Sequence, residues 1–343
     1  MRINRISEIK LLFSIGTLIV LALVPLIVVQ PYIQHVFILT FYMATTSMAW
    51  SILGGMTGQN SMGHAAFMGM GAYFSSMMVV RGMTPWMALP ISVLCTGLIA
   101  VAIFYPCFIL RGPYFTLVTI ALGEAFRNFL LNWDLAGKAM GILLPFGDDS
   151  WLDFRFFSKL PYYYVSLIMT LLVYLLVRKI DRSKLGFALK TIREDEDVAA
   201  AIGIYSMKYK LIAVWISTMI MAASGFFYAQ YLRYIDPTLV LQTYSVEFVL
   251  PAIIGGIRFV NGPIFGAFIL VPLSEYLRAQ FSTFLPGVNL LVYAMILILM
   301  IRFLPTGLLG WYSTSSIRVK VDRILAFGIN QSNSDKKGSE VDE

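Results

Sequence analysis

Gln59, Asn60, Ser61 and His64 crowd into one short stretch of a chain whose flanks are almost wholly apolar. Glycines are interleaved with them and continue past them, at Gly54, Gly55, Gly58, Gly63, Gly69 and Gly71, before Tyr73. Amide, hydroxyl and imidazole groups donate and accept hydrogen bonds. In hydrocarbon they are tolerated only where protein or a water-filled cavity satisfies them. Glycines let a neighbouring helix, or a moving solute, come close to the backbone. Two arrangements meet both conditions: a tight helix-packing seam, and a broken helix lining a translocation route. On the second reading, Thr57, Asn60, Ser61 and His64 offer polar contacts to a zwitterionic solute. Phe67 and Met68 then supply an apolar surface, and Gly63 lies on the route.

Other chemistries lack their residues. No Gly-x-x-x-x-Gly-Lys-Ser/Thr phosphate loop is present, since Lys190-Thr191 has no glycine cradle before it. With only His35 and His64 and no Cys-x-x-Cys, the sequence offers no structural zinc site. A membrane-embedded enzyme would have only His64 and Glu124 as candidate groups, so the chain is read as a non-enzyme with no metal. Cys95 and Cys107 lie in one apolar segment, about 18 Å apart along a helix, too far for a disulfide; both are expected to be buried thiols.

The elements that position this stretch follow from composition. The 343 residues are 58% hydrophobic and 13% charged, with a mean hydropathy of +0.76, whereas globular chains carry about 25% charged residues. Apolar runs near the roughly 20 residues a bilayer requires recur along the chain. The expected fold is all-α: a polytopic transmembrane helical bundle of about ten spans, some of them broken. The first, Leu11 to Val29, follows Arg2, Arg5 and Lys10 and reads as an uncleaved span starting inside. The others fall at roughly 33–53, 61–80, 86–110, 114–133, 161–179, 209–231, 247–258, 263–280 and 287–304.

Charge sets the orientation. The net charge of +7 does not mark a nucleic-acid binder, because the basic residues fall in loops and at helix ends. The loop at 180–208 and its flanks hold Arg178, Lys179, Arg182, Lys184, Lys190, Arg193, Lys208 and Lys210. The loop at 134–160 balances its acids and bases. Positive charge therefore puts both termini and the 180–208 loop in the cytoplasm. A permease domain over 1–312 contains that loop and precedes a polar cytoplasmic tail, 313–343, expected to be disordered. Within the spans, Glu124 and Arg127 are spaced to pair on one helix face. Glu247, Arg258, Glu275 and Arg278 are assigned to helix ends, where long side chains snorkel.

Two further patterns matter. Gly54-Gly55 followed by Asn60 is echoed, at the same spacing, by Gly255-Gly256 followed by Asn261. Paired helix breaks of this kind point to a transporter's site and add Asn261 to the route. In the 180–208 loop, Ala199 to Ala201 favour a short helix stopped by Gly203, with acids at its N-terminus where the dipole favours them. Val198, Ala201 and Ile202 give that helix a small apolar face for a partner.

These motifs together resemble the LivM-type permeases of ABC importers for branched-chain amino acids. The likeness runs through Ser61-Met-Gly63-His64-Ala-Ala-Phe67-x-Gly69-x-Gly71-Ala-Tyr73 and Leu110-Arg111-Gly112-Pro113-Tyr114-Phe115. It continues in Gly186-x-Ala-Leu-x-x-Ile192-Arg193-Glu194-Asp195-Glu196 and Asn261-Gly262-Pro263-x-x-Gly266-Ala267, covering roughly residues 35–310. The resemblance implies a bacterial inner-membrane subunit paired with a second, homologous permease. Two cytoplasmic ATPase subunits and an extracytoplasmic binding protein complete such an importer, and this chain holds no cofactor of its own because ATP is bound by the partners. It also makes 186–204 the ATPase-coupling loop, with Arg193, Glu194, Asp197, Ala200 and Gly203 as its residues. Beside a branched-chain amino acid, the wider family carries urea and short amides. The rival from another class is a self-sufficient secondary carrier or channel using the broken helices alone.

Overall fold

The structure, a computed structural model, describes residues 16, 19–27, 30–281, 288–304 and 306–314. Parts of the expected first span and the tail beyond residue 314 lie outside these. Helix α1 covers 19–27. It is followed by α2 (Pro31–Thr57), α3 (His64–Val80), α4 (Pro85–Cys107), α5 (Pro113–Asn132) and α6 (Leu160–Asp181). Two short helices come next, α7 (Lys184–Glu194) and α8 (Glu196–Ala201), before the long α9 (Ser206–Leu232). A 3-10 turn, Pro237–Val240, leads into α10 (Gln242–Gly255), α11 (Gly262–Phe281), α12 (Val288–Phe303) and α13 (Gly307–Thr314). Each span expected between residues 33 and 304 falls on one of these helices, although α3 starts later than expected and α10 earlier.

Proline and glycine set several of the boundaries. Prolines open α2, α4 and α5, where the missing N–H has no intrahelical partner to lose. Gly58, in the left-handed region at φ 73°, closes α2. α2, α4, α6 and α9 are individually long and apolar enough to cross a membrane. Their burial separates them. The apolar window of α2 is 78% buried and that of α9 61%, against 33% for α4 and 39% for α6. α2 and α9 therefore form the centre, while α4 and α6 turn a broad apolar face outward, as a helix against lipid does.

α3 lies against α9 along the glycine-rich face. A methyl group on Gly71 would run into the backbone of Ala222, and one on Gly225 into the Met68 carbonyl. Close approach of two backbones needs small residues at the contact, which explains the Gly69-x-Gly71 spacing. At the opposite end from α7 and α8, the loop after α5 is clipped to the end of α9 by a two-residue antiparallel pair. Its strands are β1 (Ile142–Leu143) and β2 (Tyr234–Ile235). Arg233 reinforces the clip by donating to the Phe154 carbonyl at 2.5 Å and to Gln230 Oε1 at 3.1 Å.

Three sequence assignments change. Cys107 is buried as expected, but Cys95 is exposed on the outward face of α4. Glu275 does not snorkel from a helix end: its side chain is 11% exposed and pairs with Arg278 one turn along at 3.2 Å. Glu247 lies inside α10, not at its end, because that helix begins at Gln242.

Candidate functional site

The break between α2 and α3 is closed by hydrogen bonds from distant helices. The Trp50 indole N–H donates to the Ser61 carbonyl at 2.7 Å. From α5, Thr116 donates to the Asn60 carbonyl at 2.8 Å, and Thr119 Oγ1 accepts the Met62 amide at 3.0 Å. The first turn of α3 has amides without intrahelical partners, and the Ser245 hydroxyl of α10 accepts one of them, from Ala65, at 2.9 Å. Non-helical backbone is thus satisfied inside protein, the condition a membrane imposes on it.

His64 is the hub of this arrangement, and it is fully buried. The Ser217 hydroxyl donates to the Ala49 carbonyl at 2.6 Å, so its oxygen is left to accept from His64 Nε2 at 3.0 Å. His64 Nδ1 shares a hydrogen bond with the Ser61 hydroxyl, also at 3.0 Å. Hydrogen-bond balance places a proton on Nε2. The side chain joins α2, α3 and α9 and leaves neither ring nitrogen for a solute. Thr57 is likewise buried and donates back to the Leu53 carbonyl. Of the polar residues expected on a route between α2 and α3, Asn60 is exposed while Thr57, Ser61 and His64 are buried.

Gly63 and Phe67 have a different setting. They border a partly open apolar cavity of about 220 Å³ between α3, α4 and α5, lined also by Phe104, Thr119, Leu122 and Phe126. Such a cavity exceeds the ~150 Å³ apolar void that stays dry and accepts benzene. It suits a branched aliphatic group.

The second glycine pair repeats the first in form. Gly255 ends α10, Gly256 at φ 114° breaks the helix, and α11 restarts at Gly262. The two breaks touch, with the Ile257 carbonyl 3.0 Å from where a Gly55 side chain would begin. Asn261 nevertheless stays apart from Asn60. It lines another cavity, shared with Arg178 and Tyr312.

The 184–204 segment folds as an α7–α8 hairpin pinned at four points. Ser183 caps α7, and Asp195 caps α8 by accepting the Asp197 and Val198 amides at 2.8 and 3.0 Å. Lys190 of α7 pairs with Asp181 of α6 at 2.6 Å. Lys210 of α9, whose side chain is 1% exposed, pairs with Glu196 at 2.7 Å and lies over the Phe108 ring. Arg111, before α5, reaches Asp197 at 3.2 Å. Finally, Arg193 donates to the Gly55 carbonyl at 2.9 Å, capping the last turn of α2 just before the break.

Of the five residues expected in coupling, Arg193 therefore points inward and the rest outward. Glu194, Asp197, Ala200 and Gly203 are exposed, with Gly203 at φ 84° ending the hairpin. The hydrogen bond from Arg193, and then its charge and that of Arg258, hold the Glu194 carboxyl below its ordinary value. Phe187, Val198, Ile202 and Tyr205 stand exposed on the hairpin, an apolar surface with polar neighbours. Sequence reasoning missed Lys210, Arg111, Ser217 and Ser245. The first two carried a signal, being charges close to a span end, but nothing local distinguished the serines. Among the described residues no cluster of three or more His, Cys, Asp or Glu side chains is placed to hold a metal ion.

The sequence profile described as "Branched-chain amino acid transport system / permease component" matches residues 32–301. Similar proteins include the "High-affinity branched-chain amino acid transport system permease protein LivM" of Escherichia coli, 28% identical over 301 residues. That alignment covers 79% of this chain and 70% of the relative. The protein of the same description from Salmonella typhimurium is 27% identical over 297 residues, covering 78% and 69%. No solved structure gives a significant match to the chain.

Proposed function

The chain belongs to the branched-chain amino acid transport system permease family, and we propose that it is a membrane subunit of an ATP-driven importer worked through the α7–α8 hairpin. The observation that carries the reading is the Arg193 contact with the Gly55 carbonyl. It joins the exposed α7–α8 hairpin to the last turn of α2, one of the two central helices, just before the break. A push on the hairpin then reaches the α2–α3 connection through a single charge-assisted hydrogen bond.

The partners follow from surfaces. Phe187, Val198, Ile202 and Tyr205 form the docking face for a cytoplasmic ATPase, of which an importer of this kind has two. Glu124 and Arg127 pair at 3.3 Å on the outward side of α5, and Glu247 is exposed on α10, which packs against α5. Charges there are costly against lipid, so a second permease subunit covers that face. Solute arrives from an extracytoplasmic binding protein. The termini lie in the cytoplasm of a bacterium and the chain in its inner membrane, in keeping with the positive charge of the α7–α8 side.

A branched-chain amino acid suits the apolar cavity beside Gly63 and Phe67; urea has no apolar group to place there. The test is leucine uptake by proteoliposomes holding the chain with its co-purifying subunits. Accumulation should require internal or external ATP on the ATPase side and stop without the ATPase. Gradient-driven accumulation by the purified chain alone would overturn the reading in favour of a self-sufficient carrier.

A further inference from the structure

At the basic end of α6, a cavity of about 540 Å³ opens between that helix, the α10–α11 connection and α13. Arg178, in the last turn of α6, and Arg182, the residue that follows the helix, both line it. Arg178 is half-buried and lies against the Tyr174 ring at 6.0 Å. Neither arginine has a carboxylate within ion-pair distance among the described residues. The acid in the same wall, Asp181, is already held by Lys190 at 2.6 Å. The cavity therefore carries two uncompensated guanidinium groups, each able to grip a phosphate with paired donors.

Its surroundings are those of a lipid headgroup. Toward the membrane interior, α6 exposes Leu175 one turn before Arg178, with Leu172 and Leu176 exposed on the adjoining side of the helix. Across the cavity, α13 exposes Trp311 and Tyr312, aromatic types that concentrate at the headgroup level. Phe259 and Asn261 complete the wall from the α10–α11 connection. A basic pocket between spans on the side that faces anionic lipid is a headgroup site by its chemistry.

We propose that this cavity binds the phosphate headgroup of an anionic phospholipid, with its acyl chains along α6. The site adjoins the hairpin through the Asp181–Lys190 pair, so the bound lipid braces α7 from below. The inference needs only that the chain crosses a bilayer; leucine uptake and lipid retention are separate measurements, so failure of one is distinguishable from failure of the other.

Native mass spectrometry of the full-length chain with its co-purifying subunits tests this, by titration with phosphatidylglycerol, phosphatidylcholine and inorganic phosphate in turn. The wild type should retain phosphatidylglycerol over phosphatidylcholine. Replacing both Arg178→Gln and Arg182→Gln should weaken phosphatidylglycerol roughly thirty-fold, the effect of two basic residues near a membrane surface. Asn261→Asp, which adds a negative charge from another element without changing size, should weaken it several-fold, and serves should the double variant fail to fold. Lys179→Gln removes the same charge from the same helix end but outside the cavity, and should leave retention nearly unchanged. Wild-type retention by the double variant, or by Asn261→Asp if that variant alone folds, would overturn the proposal. So would an equal loss in Lys179→Gln, which would mean a diffuse field, or displacement of the lipid by inorganic phosphate, which would mean a free-anion site.

Discussion

Replacing Arg193 with Met tests the joint between the hairpin and the bundle. The side chain is 21% exposed and its guanidinium lies 2.9 Å from both the Gly55 carbonyl and the Glu194 carboxylate. A hydrogen bond to a charged donor is worth about 1.5–3 kcal/mol. The Glu194 contact is exposed to solvent and contributes little. Methionine keeps the aliphatic stem against Gly58 but removes the contact that transmits load. Losing about 2 kcal/mol is roughly a thirty-fold change in an equilibrium. Leucine uptake per ATP hydrolysed in proteoliposomes should therefore fall more than tenfold, while basal ATP turnover continues. Arg193→Lys, with its charge but without the planar fork, should fall between. Uptake per ATP within twofold of wild type in Arg193→Met would refute the reasoning. The Glu194 carboxyl is held below its ordinary value of 4.5, so its contact with Arg193 is complete above that value. It is lost only as pH falls through the lowered folded value. Coupling through this contact should accordingly be flat between about pH 6 and 8, and Glu194→Gln should transport nearly as wild type.

Three other outcomes follow from the same geometry. Glu196→Gln leaves the buried Lys210 ammonium unpaired and should lower stability by about 3 kcal/mol; Lys210→Met leaves only a partly solvated carboxylate and should cost less, an order that thermal unfolding in detergent can read. Ala200→Arg sits on an exposed position of α8, so it should insert normally yet abolish ATP-coupled uptake, and unchanged uptake would remove α8 from the docking face. Gly225→Ala forces a methyl group into the Met68 carbonyl and should cost about 1–3 kcal/mol as an overpacked seam, whereas Gly82→Ala, with open space around it but φ at 89°, should cost about 1 kcal/mol through backbone strain alone.

Gly63→Leu is a poor probe of the route, although sequence alone recommends it. A side chain there meets the Thr119 carbonyl of α5, so lost transport would report broken packing as readily as a blocked passage. Phe67 on the cavity wall and the exposed Asn60 are better placed, since neither change needs a backbone to move.

Length and hydropathy along the chain determined where the helices lie, and glycine and proline determined where they break. Both are local properties, set by the roughly 20 residues a bilayer demands and by backbones that only glycine or proline permits or forbids. The same locality made the α8 helix legible, from its acidic first turn to Gly203. Tertiary structure alone decided what the polar residues do. His64 meets Ser217 across 153 positions, Ala65 meets Ser245 across 180, and Arg193 meets Gly55 across 138. No periodicity encodes a partner at such a distance. In a bundle whose apolar faces are interchangeable to lipid, hydrogen bonds between remote helices choose which faces meet. They turned three of the candidate route residues into the fastening of the break itself.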